Sequence, residues 1–233
     1  MKKKKYQLNR AGNVKLGPGV SSWSTYHGTF ERDTVNIDGV QVRVHGTCRN
    51  CTDCVNDCYA AKAEKQYPSV RLSRGANTWG IQNEMDRVFN DLAGQISRSR
   101  TLKCVRINQS GELTGVKEFH HWVELAAAFP KVTFYLYTKM YKYVEKDILK
   151  GNIPGNLFIL YSIWHKRGIK EYNKVKACKN VKAFVYDDGV LNIKPTAYCA
   201  AYKGKHLDHD WTCDRCKLCY NGKGAKVIGC KAH

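Results

Sequence analysis

No stretch of this sequence approaches the roughly 20 consecutive apolar residues that a membrane-spanning helix needs, so no such helix is expected. No apolar run between Gln7 and Gly19 follows the basic start, so Lys2–Lys5 are not expected to head a secretory signal. The expected setting is the cytoplasm, where thiols stay reduced. Acidic residues are scarce as well: 20 Asp and Glu stand against 39 Lys and Arg, a net charge of +19. Such a field attracts polyanions, and nucleic acid is the first candidate partner. No nucleic-acid recognition motif accompanies the charge, and beyond Lys2–Lys5 the basic residues are dispersed. A protein whose lysines only solvate its surface has the same balance.

Cysteine, by contrast, is abundant: 11 residues, nearly all in two dense groups. The first reads Cys48-x2-Cys51-x2-Cys54-x3-Cys58. The second comprises Cys199, the run Cys213-x2-Cys216-x2-Cys219, and Cys230. Among reduced thiols, this spacing favours metal over disulfides, although spacing alone leaves a disulfide framework open. The first run has the generic ferredoxin spacing, with Tyr59 where a proline is usual. It is not the C-x3-C-x2-C of ordinary radical S-adenosylmethionine enzymes. Four such thiolates can all ligate one centre, or three can ligate beside a spectator. Structural zinc is the competing reading, because four-cysteine zinc sites also use C-x2-C pairs. Compression of the run into 11 residues favours an iron–sulfur cluster, of the 4Fe–4S kind, at this first site. At the second site Cys213, Cys216 and Cys219 are the expected ligands, with Cys199 or Cys230 as the fourth. His206 and His209 are outside candidates, and zinc competes more closely with iron–sulfur there. Cys104 in a strand pattern and Cys178 at a helix end read as buried apolar side chains.

Three regions are expected. Residues 1–15 hold six basic residues and no acid, the mark of a basic flexible arm. Residues 16–193 form an α/β body, and residues 194–233 a cysteine-rich metal-binding segment. Within the body, Thr34 to Val44 reads as a hairpin turning at Asp38-Gly39. A long helix is expected from Asn77 or Thr78, with Ile81, Met85, Val88, Phe89, Leu92 and Ile96 at helical spacing. Strands then alternate with helices: strand 102–108, helix 116–129, strand 132–138, helix 139–150, strand 157–163, helix 168–178 and strand 181–186. Val190 to Ile193 is expected to extend the sheet. This alternation predicts a mostly parallel sheet or a partial TIM-like barrel.

In such folds the functional edge lies at the C-terminal ends of the strands. Here those ends carry Asn108 to Glu112, Thr138-Lys139, Ser162 and Tyr186 to Asp188. Ser110, Glu112, Lys139 and Ser162 are therefore the pocket candidates. Lys139 is suited to a carboxylate or phosphate, and Glu112 to an amine or a ribose hydroxyl. Polar strand ends also occur simply because loops are polar.

At these residues the chain resembles a family of bacteriophage proteins, the phage gene product 88 family. The resemblance covers most of residues 15–233. It rests on Lys15-Leu16-Gly17 with Ser22-Trp23-Ser24, on Thr47-Cys48 leading to Cys54 and Cys58-Tyr59-Ala60, and on Asn77 opening a helix. It continues through Arg106-x3-Ser110-Gly111-Glu112, Phe134-Tyr135-x-Tyr137-Thr138-Lys139, Cys199 and the Cys213/Cys216/Cys219 run. The family pattern implies ligands at Cys48, Cys54 and Cys58, which makes Cys51 an addition, and favours Cys199 over Cys230 as the fourth ligand of the second site. It usually has aspartate where this chain has Glu112. The resemblance implies the host cytoplasm as the expected setting if the protein is phage-encoded. Three thiolates at a strand exit and a second group near the C-terminus are also similar to the layout of radical S-adenosylmethionine enzymes with auxiliary clusters, an analogy of fold only.

Two functions are thus expected to compete. One is a redox or radical enzyme with two iron–sulfur clusters and S-adenosylmethionine as a candidate co-substrate. The other is a zinc-stapled nucleic-acid-binding protein without catalytic activity. A simple electron carrier needs little beyond its clusters and fits this large body less well.

Overall fold

The computed structural model describes residues 6–9, 15–29, 31–49, 51, 54–55, 58–187, 189–200 and 211–230. Lys2–Lys5, Asp188, His206 and His209 lie outside these residues. The strands are β1 (Val20–Ser22), β2 (Glu31–Ile37), β3 (Val40–His45), β4 (Cys104–Ile107), β5 (Thr133–Thr138), β6 (Leu157–Ile163), β7 (Val181–Tyr186), β8 (Ala197–Tyr198) and β9 (Val227–Cys230). The helices are α1 (Tyr59–Gln66), α2 (Pro68–Asn83), α3 (Met85–Ser97), α4 (Val116–Ala128), α5 (Tyr141–Leu149), α6 (Lys166–Val175) and the single turn α7 (Cys213–Cys216).

Seven strands form one open sheet in the order β1-β4-β5-β6-β7-β9-β8, and β2 and β3 form a separate hairpin. Every neighbouring pair in the large sheet is parallel. No closed barrel is present among the described residues, because β1 and β8 end the sheet as edges. Strands β4 to β7 are added in one direction. Right-handed crossovers then lay every connecting helix on the same face.

Strand alternation sorts the core accordingly. Val105, Ile107, Phe134, Leu136, Ile159 and Ala183 meet Phe89 and Leu92 of α3, Phe119 and Trp122 of α4, Val144 of α5 and Val175 of α6. Side chains of the other parity, Cys104, Tyr135, Phe158 and Leu160, face away from the helices. There they join Leu16, Val20 and Ile228, and Cys213, Leu218, Cys219 and Tyr220 pack over them. The C-terminal cysteine-rich residues thus occupy the place that helices fill in a sheet covered on both faces.

Several elements depart from the sequence-based expectation. The helix expected from Asn77 begins at Pro68, a residue pre-set for a first helical turn, and breaks at Glu84 (φ −135°) before α3. Asn77 sits mid-helix, where its amide donates to the Ser24 carbonyl at 2.9 Å. Val190 to Ile193 is not a strand; β9 and β8 extend the sheet instead. The hairpin turns at Asp38 (φ 51°) and Gly39 (φ 94°), the left-handed pair that suits strand twist. Of the expected arm, Tyr6 and Leu8 are buried. The Tyr6 and Leu8 amides donate to Asp91 and Gln95 of α3. No described helix is long and apolar enough to cross a membrane.

Candidate functional site

The C-terminal ends of the parallel strands open onto a cavity of about 1020 Å³. Cys48, Cys51, Cys54 and Cys58 line it, and so do Cys199, Cys213, Cys216, Cys219 and Cys230. The two groups read from the sequence as separate sites share one space. The four pocket candidates, Ser110, Glu112, Lys139 and Ser162, line it too.

The first group hangs on the segment after β1. Thr47 N–H donates to the Tyr26 carbonyl (3.0 Å) and Cys48 N–H to the Gly28 carbonyl (2.9 Å). Gly46 permits this approach, because a Cβ there would collide with the carbonyl oxygens of His27 and Gly28. Those atoms are backbone and cannot swing aside. Gly46→Ala is therefore expected to cost about 1–3 kcal/mol and to push the first cysteine loop off its support. Gly155→Ala, with nothing within 4 Å of its added carbon, is the control in a denaturant titration. Equal midpoints would show that the contact is dispensable.

Cys58 supplies the residue that precedes α1, and its carbonyl accepts from Ala61 N–H at 3.1 Å. Cys51 and Cys54 share a hydrogen bond, and burial pushes the Cys51 thiol up to about 11. Burial, with Glu112 nearby, pushes Cys48 up to about 12. The Lys139 ammonium bonds Cys54 and lies close to Cys48 and Glu112.

The Ser110-Gly111-Glu112 turn is built for packing against Thr25 and Thr47. Gly111 has φ 80°, and a Cβ there would strike the Thr25 hydroxyl. Glu112 N–H donates to Thr47 Oγ1 at 2.8 Å. The Glu112 carboxylate accepts from Leu113 N–H (2.9 Å), Thr138 Oγ1 (2.7 Å) and Lys139 N–H (2.7 Å). Burial pushes its pKa up, against the opposing pull of Lys139. Glu112 therefore joins the ends of β4 and β5 and sets Lys139 in place. Ser162 Oγ accepts from Trp164 Nε1 at 3.2 Å, and Trp164 stacks on Tyr186 with ring centroids 4.3 Å apart.

The second group is assembled by three chain segments. Cys213 N–H donates to the Lys15 carbonyl (2.9 Å) and Asp214 N–H to that of Leu16 (3.1 Å), so the Lys15-Leu16-Gly17 motif is the seat of α7. Gly17 has φ 81°, and a Cβ on it would collide with the Asp214 carboxylate. Lys217, in the left-handed region at φ 56°, closes the turn and sends the chain back toward Cys219. The Tyr137 hydroxyl and the Cys219 thiol share a 2.8 Å hydrogen bond. Cys199 stands near both Cys219 and Cys230. Cys104 is buried beneath, close to Cys213 and Cys219.

Among the described residues, no three Cys, His, Asp or Glu side chains are grouped as a bound metal ion requires. The chemistry of the donors still fits a thiolate-ligated centre: each group is all sulfur, each opens on the cavity, and a cation stands at each, Lys139 beside Cys54 and Arg106 beside Cys213.

A family model described as Gene product 88 matches residues 7–222. The chain belongs to the gene product 88 family. No curated protein matches it, and no solved structure does. Within this family member the match spans both cysteine groups up to Cys219 and leaves Cys230 outside.

Two features were not read as site residues. Arg106, quoted only as part of the family motif, shares strand parity with Cys104 and lines the cavity. The second carries no local signal. Glu64, buried in α1, accepts from Arg74 Nη1 at 3.0 Å and contacts His27 Nδ1 at 2.8 Å. Its three members lie in a loop and two different helices.

Proposed function

We propose that this protein is an iron–sulfur enzyme of redox or radical type, acting on a small molecule held between its two cysteine groups. One observation carries the reading: both thiol groups and the polar strand ends line the same cavity. Thiols that only staple a fold have no need of a shared cavity lined by Lys139, Ser110 and Arg106. The finer architecture belongs to this proposal: a partial TIM-like barrel, supported by strands added in one direction with the helices on one side. So does a cytoplasmic location, where such thiols stay reduced.

Cys48, Cys54 and Cys58 would hold the first centre, and Cys199, Cys213, Cys216 and Cys219 the second. When bound, such clusters supply one-electron transfer and, with S-adenosylmethionine as co-substrate, radical chemistry. The protein's own groups do the positioning. Lys139 holds positive charge against Cys54 and Cys48, and Glu112 fixes Lys139. Ser162 orients the Trp164 ring that forms part of the wall.

Anaerobic purification tests the proposal. The expected product is brown and contains iron with acid-labile sulfide. A colourless protein containing zinc and no sulfide would overturn it. That result would leave the zinc-stapled nucleic-acid reading, which rests on the charge of +19.

A further inference from the structure

Arg106 stands on β4, on the sheet face without helices, and lines the cavity. Its guanidinium lies over the Tyr137 ring at 4.8 Å. The titratable groups around it include Tyr59, Tyr135 and Tyr137 and the thiols of Cys213 and Cys219. It is in no ion pair among the described residues, and its buried Nε has no hydrogen-bond partner. A guanidinium does not deprotonate in a protein. Beside the thiols of the second group, this half-buried guanidinium keeps a sealed, unbonded Nε with which to take an oxyanion from the cavity. Two other cations on the cavity wall are already engaged, Lys139 by Cys54 and Glu112 and Arg74 by Glu64.

Two residues on, Asn108 lines the same cavity. It is 4% exposed, with both amide atoms unpartnered and a left-handed φ of 53°. Unpaired buried polar atoms and backbone strain in one residue are both unfavourable, and such combinations gather where a ligand completes the structure.

We propose that Arg106 and Asn108 anchor an oxyanion, a carboxylate or a phosphate, carried by the small molecule that enters the cavity. Arg106 supplies the charge and a planar fork of donors suited to two oxygens. Asn108 Nδ2 supplies a further donor. Tyr59 follows Cys58, and Cys213 belongs to the other group, so an anion on Arg106 sits between the two thiol groups. The inference deepens the proposed function by naming the ligand class of the same cavity.

The test uses the full-length protein, isolated anaerobically, with iron measured on every sample. Inorganic phosphate and acetate are titrated at constant ionic strength, with chloride as the control. Fluorescence of Trp164 and Trp211, both on the cavity wall, reports binding. Saturable binding of phosphate or of acetate is expected, and which one binds names the oxyanion. Arg106→Gln should weaken it by about tenfold or more, the loss of charge-assisted hydrogen bonds. Asn108→Asp keeps the side-chain shape and sets a carboxylate beside Arg106, so it should abolish binding even if Arg106→Gln does not fold.

Undiminished binding in Asn108→Asp, or no binding by the wild type, overturns the inference. Loss of iron in Arg106→Gln, together with no anion binding by the wild type, would reassign Arg106 as counter-cation of the second thiol group. Iron without anion binding sinks this inference alone. Anion binding without iron sinks the iron–sulfur proposal alone.

Discussion

Glu64→Gln is expected to lower stability by about 3 kcal/mol, because removing one partner of a buried ion pair leaves the other charge uncompensated. The Glu64 and Arg74 side chains are 2% and 8% exposed. For a chain of this size the loss corresponds to a melting point lower by about 6–12 °C. Burial opposes ionisation of Glu64, but His27 and then Arg74 outweigh it and hold its pKa below the usual 4.5. A depressed carboxylate stabilises the fold above its unfolded pKa, and that contribution is lost as pH falls through the folded value. The gap between wild type and variant should therefore be full near neutrality and shrink below about pH 4.5. Thermal melts at several pH values measure it. A gap that stays constant into acid would show that Glu64 acts by shape and not by charge. The network also joins the loop of His27, helices α1 and α2, and the Ser110 turn, whose hydroxyl lies 3.5 Å from Glu64. The Gln variant should accordingly loosen the first cysteine group as well as the fold.

Much of the body was legible because its signals are local. Strands such as Leu157–Ile163 are apolar and short, and their helices are amphipathic, so the α/β alternation and the parallel sheet could be read from period alone. What could not be read is pairing across distance. β1 is three residues with two serines, and β8 is two residues. Neither has a period, and both become strands only because a neighbouring strand offers its backbone. Each cysteine group was visible as spacing, yet nothing local says that Cys48 and Cys213 look into one cavity. That follows from two separate docking events, Cys48 on the Gly28 carbonyl and Cys213 on the Lys15 carbonyl. Glu112 illustrates the same limit. Its place at a strand end was evident, but its three donors come partly from the end of β5, 26 and 27 residues on.

Those separate anchors imply that the two groups can be emptied independently, although they share a space. Cys48→Ser, Cys54→Ser and Cys58→Ser should each remove the iron of the first group only, about half of the total if two like clusters are bound. Cys213→Ser should remove the other half. Cys51→Ser is expected to keep nearly all of it. The contrast between Cys51 and Cys54 follows from what surrounds them. Lys139 bonds Cys54 and has Cys48 among its nearest charge partners. For Cys51 it counts for less than burial and the neighbouring Cys54 and Cys58. A ligating thiolate gains more from an adjacent cation than a spectator does, since the centre it helps to form is anionic. Lys139→Met, which keeps every thiol, should then weaken retention of the first group's iron and leave the second unchanged. Iron per chain, measured across the series under strict anaerobiosis, decides the matter. Equal losses for Cys51→Ser and Cys54→Ser would return the first group to four ligands, and losses in Cys54→Ser that also strip the second group would mean that the cavity holds one joined centre.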